Sequence, residues 1–274
     1  MSTEPSPSGL RTPPRLELTG VSRSFPLRGR RTLPVLDQVS LSVAPGEFVS
    51  IVGPSGAGKS TLFNLIAGLD RPTCGRIAID GDVINGPHAH TAYMPQNDLL
   101  FPWRTVAANA ALGLEVQGVP RRRARDQVRE LFGRFGLAGF EDAYPFELSG
   151  GMRQRAALLR TVAQRRETLL LDEPFGALDS LTRMQMQLWL QQVWAEHSWT
   201  ALLVTHDIRE ALILSDRVVV LSPRPASVRL VLEVDLPRPR DAAVTTTPAF
   251  ARLERALLAA VTDDPPADAG LSAW

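Results

Sequence analysis

Apolar and polar residues follow several distinct spacings along this chain. Glu47-Phe-Val-Ser-Ile-Val52 is almost wholly apolar, the pattern of a strand covered on both faces of its sheet. Thr168-Leu-Leu-Leu171, Thr200-Ala-Leu-Leu-Val204 and Arg217-Val-Val-Val-Leu221 read the same way. Val39-Ser-Leu-Ser-Val43 alternates instead, as a strand with one wet face does, and an earlier strand is expected from about Leu16. Arg76–Asp80 and Ala92–Met94 add short strands. From Val106 to Ala163 apolar residues recur at three- and four-residue intervals, and Gly118, Gly136 and Pro145 cut that stretch into separate helices. Lys59–Gly68 and Thr182–His197 are further helices. Strands alternating with helices predict a mostly parallel α/β core with helices on both faces, interrupted by a helical insertion.

Composition narrows the picture. Residues 1–14 are rich in Pro, Ser and Thr and are expected to be a disordered leader. After Leu236 the chain turns to Pro, Arg and Ala, so residues 237–274 read as a partly disordered C-terminal extension, with a short amphipathic helix over Phe250–Val261. The folded domain then spans 15–236. No apolar run approaches the roughly 18–20 residues that cross a bilayer, and the N-terminus lacks a secretory pattern. A lone cysteine, Cys74, excludes an intrachain disulfide framework. The net charge of +1 argues against a nucleic-acid partner, and Arg121–Arg123 and Arg165-Arg166 read as solvated helix faces. One of the 30 basic residues is lysine, Lys59. A position that stays lysine against an arginine background needs a compact ammonium rather than a forked guanidinium.

That lysine lies in Gly53-Pro54-Ser55-Gly56-Ala57-Gly58-Lys59-Ser60, a full match to the phosphate-loop (Walker A) pattern G-x-x-x-x-G-K-S between a predicted strand and a predicted helix. The glycines let backbone N–H groups turn toward phosphate oxygens at a helix N-terminus. Lys59 is expected to reach the β- and γ-phosphates of ATP, Ser60 to ligate Mg²⁺ and Thr61 to touch the α-phosphate. A second buried strand ends in Asp172-Glu173, two carboxylates at the sheet edge where ligands of open α/β folds bind. Asp172 is the candidate Mg²⁺ group, acting through water, and Glu173 the general base that polarises the attacking water. Ser149, Gly150 and Gly151 open the helix Met152–Ala163 and form a second potential anion site.

Leu148-Ser-Gly-Gly-Met-Arg-Gln-Arg155 resembles the signature sequence of ATP-binding-cassette (ABC) ATPases, and the resemblance extends over about residues 16–236. It implies a P-loop NTPase (RecA-like) fold carrying an antiparallel N-terminal β region and a helical subdomain inserted at about 97–163. In that family pattern Gln96 joins core to helical subdomain and reaches metal and water. Asp179 crosses the dimer interface, His206 senses the γ-phosphate, and Phe25 stacks on adenine. Cys74, Thr161-Val162 and the absence of a proline before Thr168 depart from the pattern, away from any catalytic position. The resemblance further implies a dimer with two shared ATP sites, each phosphate loop capped by the Ser149–Gly151 segment of the other subunit.

One cassette without a membrane span is expected to pair with a second copy and to dock on separate permease subunits at the cytoplasmic face of the membrane. A solute-binding protein would deliver cargo. Gln96–Thr105, with Leu-Leu-Phe-Pro-Trp103, and the segments Leu221–Ala226 and Asp235–Arg240 resemble the nitrate/sulfonate/taurine importers and the related importers of a thiamine pyrimidine precursor. Leu99–Trp103 is either an exposed anchor for a permease or part of the helical subdomain's interior. An exporter cassette and a soluble cassette of translation or DNA repair are the competing readings.

Overall fold

The computed structural model describes residues 13–28, 31–88 and 90–262. The chain runs β1 (Leu16–Pro26), β2 (Thr32–Val43), β3 (Phe48–Val52), α1 (Lys59–Ile66), β4 (Cys74–Ile79), β5 (Asp82–Val83) and β6 (Thr91–Met94). Next come α2 (Val106–Ala110), α3 (Leu112–Val116), α4 (Arg121–Arg129), α5 (Gly150–Val162), β7 (Thr168–Asp172), α6 (Ser180–His197) and β8 (Thr200–Val204). It ends with α7 (Ile208–Leu214), β9 (Arg217–Leu221), β10 (Val228–Glu233) and α8 (Pro248–Thr262).

Two sheets form. One is antiparallel, in the order β2-β1-β4-β5, and the other is ordered β10-β9-β3-β8-β7-β6. Within the second, β9, β3, β8, β7 and β6 pair in parallel and β10 adds on antiparallel. Every residue of β3, β7 and β8 is buried, as their unbroken apolar runs require. The expected α/β fold, with its antiparallel N-terminal β region, is what forms. β2 begins at Thr32, well before the alternating stretch at Val39. Pro34 is tolerated there because β2 is an edge strand, and the register shifts where β1 meets it erase the alternation.

Three apolar clusters hold these layers. Leu16, Leu18, Ile51, Leu62, Phe63 and Ile79 pack α1 between the two sheets. Phe132, Phe135, Leu159, Leu171, Phe175 and Leu203 seat the helical insertion on the parallel sheet. Val52, Ala211, Val220, Val234, Phe250 and Leu257 bury the remaining end of the sheet under α7 and α8.

The chain stays on the core past Leu236. Arg240 is 2% exposed, and its guanidinium donates to the carbonyls of Leu212, Ser215, Val234 and Leu236. Leu212 and Ser215 close α7, so a cation there meets the negative end of a helix. Gln191 of α6 accepts from the Arg240 N–H and donates to its carbonyl. α8 covers the span expected of the amphipathic helix and adds a turn's edge at each end. Residues 1–12 of the expected leader, and 263–274 of the extension, lie outside the described residues.

Candidate nucleotide site

The site grows from the C-terminal ends of the parallel strands, the usual ligand edge of an open α/β sheet. β3 leads into Gly53–Gly58. Gly58 has φ of 102°, and a Cβ there would approach Val35 Cγ1 to 2.6 Å, so only glycine passes beneath β2 at this point. Gly58 also caps α1 without a side-chain hydrogen bond, leaving the helix's first amides for an anion. Lys59 is 8% exposed, and its ammonium donates to the carbonyls of Gly53 (2.8 Å) and Pro54 (3.0 Å). Burial lowers its pKa, opposed by the charges of Glu173 and Asp172.

β7 delivers the carboxylates. Asp172 is 1% exposed, and neither oxygen completes a hydrogen bond. Burial raises its pKa, while the nearby Ser60 hydroxyl and Lys59 ammonium oppose the rise. Glu173 sits at φ 49°, an unusual backbone state for a residue with a side chain, which turns it out of the strand line. Its Oε2 accepts from Gln96 Nε2 at 3.1 Å, and its Oε1 lies 3.6 Å from His206 Nδ1. Gln96 follows β6 and His206 follows β8, so three neighbouring strands converge on one carboxylate.

A cavity of about 460 Å³ gathers Phe25, Ser55, Gly56, Gly58, Lys59, Ser60, Thr61, Gln96, Glu173 and Arg224. Phe25 lines this cavity with the Arg23 guanidinium over its ring at 4.5 Å. Gly53, Pro54 and Ala57 shape the loop rather than line the cavity. A separate hollow of about 550 Å³, walled by Leu188, Trp194 and Arg238, contains none of the candidate residues.

Ser149, Gly150, Gly151 and Asp179 do not line the cavity within this chain. Ser149 caps α5 by accepting from the Met152 N–H, and Gly150 is exposed. Asp179 caps α6 through the Thr182 N–H; hydrogen bonds to Thr182 are the main cause of its lowered pKa. Ser149 and Asp179 are both exposed at the surface.

Three residues around the site carried no separable signal in the sequence. Gln154 of α5 donates to the Glu173 carbonyl at 2.8 Å and accepts from the Ala177 N–H at 3.0 Å, tying α5 to the turn that carries Glu173. Arg183 of α6 donates to the Leu178 carbonyl and lies 3.7 Å from Asp207. Glu210 of α7 is buried and accepts from the Thr205 hydroxyl beside His206. Burial pushes its pKa up to about 8, with Thr205's hydrogen bond opposing. The folded state therefore holds a proton that the unfolded chain releases near the ordinary carboxylate pKa. Stability should fall as pH rises from about 4.5 toward 8 through this group. Glu210→Gln is expected to flatten that window, and to be more stable than the parent at about pH 9 by about 1–3 kcal/mol in urea denaturation. Parallel pH profiles for the two proteins would contradict this.

Comparison with known proteins identifies the family. The ABC transporter family model matches residues 36–176. The taurine import ATP-binding protein of Pseudomonas syringae is 41% identical over 90% of this chain and 95% of its own. The nitrate import ATP-binding protein of Synechococcus elongatus is 47% identical over 82% of this chain, which spans 35% of that longer protein. A dimeric, post-hydrolysis ATP-binding cassette bound to ADP and Pi superposes with a TM-score of 0.74 at 30% identity, covering 81% of this chain and 99% of that one. The chain belongs to the ABC transporter family, as one of its ATP-binding, ATP-hydrolysing cassettes.

Proposed function

We propose that this chain energises a membrane importer of the nitrate/sulfonate/taurine kind, hydrolysing ATP between two copies of itself. One observation carries the catalytic part: Lys59, Ser60, Gln96 and Glu173 line a single cavity at the sheet's ligand edge. The names of the taurine and nitrate relatives, each an import protein, support the direction of transport. They differ in cargo at comparable identity, as expected if selection lies in the permease and solute-binding protein.

In this mechanism the amides of Gly53–Gly58 and the Lys59 ammonium hold the β- and γ-phosphates, and Phe25 stacks on the base. Glu173 takes the proton of the attacking water while Gln96 and His206 keep its carboxylate in place. Asp172 and Ser60 suit Mg²⁺, because a buried carboxylate without a hydrogen-bond partner beside a hydroxyl is a hard-oxygen donor set. Mg²⁺ would neutralise charge on the phosphate oxygens, with Gln96 as a further ligand. Ser149–Gly151 and Asp179 act on the ATP of the opposite copy.

Among the described residues no helix is long and apolar enough to cross a membrane. In this reading the chain attaches to the cytoplasmic face through a permease. Leu99, Phe101 and Trp103 stand exposed, with the Phe101 and Trp103 rings stacked at 5.2 Å. Leu99 and Phe101 border a groove of about 570 Å³ that also takes in Leu69, Val116 and Arg160. Aromatic anchors beside an arginine suit a permease segment. The two readings of Leu99–Trp103 divide the segment: Leu100 is buried in the helical subdomain's core, and the exposure of Leu99, Phe101 and Trp103 supports the anchor. Trp103→Ala, reconstituted in vesicles with its permease and solute-binding protein, is expected to cut ATP-driven uptake about tenfold or more. ATP hydrolysis by the isolated chain should stay within about twofold. Uptake equal to the parent would remove this surface from the coupling path, and ATP-dependent outward movement of solute would favour an exporter.

A further inference from the structure

The turn Ser222-Pro-Arg-Pro-Ala226 has no task in the mechanism above, yet it sits at the nucleotide cavity. β3, β6 and β7 each lead into a residue that lines the cavity, and β8 leads to His206 beside Glu173. The fifth parallel strand, β9, ends in this turn, and the turn places Arg224 among the cavity-lining residues, with Lys59, Ser60 and Glu173.

Arg224 Nε donates to the Gly56 carbonyl at 2.6 Å. The guanidinium lies so close over the phosphate loop that a Cβ on Gly56 would come within 2.8 Å of Nη2. The turn itself is fixed. Ser222 N–H donates to the Ser227 carbonyl, Ser227 N–H to the Ser222 hydroxyl, and Ala226 N–H to the Val35 carbonyl. Ala226 is fully buried, and its own carbonyl accepts from Asp37 N–H. Val35, pinned in this way, is the residue that lies against Gly58. The side chain is therefore presented from a rigid base, and Nη1 and Nη2 have no partner among the described residues. Arg240, by contrast, fills its donors with backbone carbonyls.

We propose that Arg224 is a second phosphate-binding cation of the nucleotide site, a role that rests on the nucleotide reading given above. Nε braces the loop at Gly56, and the free amino groups bind oxygens of the β- and γ-phosphates. Lys59 supplies a point charge from inside the loop. Arg224 supplies a planar fork from outside it, the geometry suited to two oxygens at once.

Arg224→Ala and Arg224→Gln, titrated calorimetrically with ATP, ADP and AMP at fixed salt, test this. Both variants are expected to bind ATP and ADP about tenfold more weakly and AMP as the parent does, since a charge-assisted contact to the outer phosphates is lost. Gln keeps a donor for the Gly56 carbonyl. Parent-like ATP affinity in Arg224→Gln would assign the effect to bracing alone and overturn the proposal. An equal loss for all three nucleotides would overturn it too, as would unchanged affinity joined to lost ATP-driven dimerisation. Lys59→Ala separates the two levels. If it abolishes ATP binding while the Arg224 variants leave it intact, the site reading stands and this proposal falls. If it binds ATP normally, the site reading itself falls.

Discussion

Glu173→Gln should keep ATP binding and lose turnover by about a thousandfold, the scale of a positioned general base. The change is nearly isosteric, so packing is preserved. The amide oxygen of the substituted side chain can still accept from Gln96, where the parent contact is 3.1 Å. What disappears is the only carboxylate among the described residues that lines the cavity, because Asp172 lies deeper and is 1% exposed. His206 cannot substitute easily, since it stands 3.6 Å behind the Glu173 carboxylate and is not among the cavity-lining residues. With hydrolysis blocked, ATP remains between the two copies, and a dimer should persist on size-exclusion chromatography with ATP but not with ADP. Single-turnover phosphate release at the parent rate would end the assignment of Glu173 as general base. Loss of ATP affinity along with turnover would show that the carboxylate holds the ground state rather than the transition state.

Elements with an unbroken local pattern were legible from the sequence. β3, β7, β8 and β9 are runs of apolar residues buried on both faces, and nothing long-range is needed to see them. The phosphate loop, Asp172 and Glu173 were legible because the chemistry fixes both residue type and spacing. Harder were features decided by tertiary contact. β2 extends through Pro34 because β1 supplies its partner through an irregular register, information absent from residues 32–38 alone. Arg240 looked like one arginine in a Pro- and Arg-rich tail. It becomes a buried clamp because the ends of α7 and β10 turn backbone carbonyls toward it. Gln154 reads as a polar residue on a helix, and its hold on Glu173 depends on how α5 meets β7. Arg224 lies 168 residues from Gly56, and only the order of strands, with β9 beside β3, brings the two together. Ser149 and Asp179 cap helices and lie outside the cavity that their own chain lines, an arrangement that accords with the proposed sharing of the site between two copies.

Lys59→Arg should weaken ATP binding by about ten- to a hundredfold despite conserving charge, the range expected when charge-assisted hydrogen bonds are lost. The reason lies in the loop's dimensions. Lys59 is 8% exposed, and its ammonium fits between two carbonyls, Gly53 at 2.8 Å and Pro54 at 3.0 Å, beneath a loop held tight by Gly58 against Val35. A guanidinium is wider and planar, with its donors fixed in a fork. It cannot enter that gap without displacing the loop, and outside the gap it no longer aims at the phosphates. Overpacking adds a cost on the order of 1–3 kcal/mol, so a modest fall in melting temperature without nucleotide should accompany the loss. Lys59→Met, which keeps length without charge, provides the comparison. If charge alone mattered, the arginine variant would bind ATP like the parent and the methionine variant would not. Weak binding by both would mean that the pocket requires an ammonium in this position, which accounts for a single lysine in a chain whose other basic residues are arginine. Calorimetric ATP affinities of the three proteins decide between these outcomes.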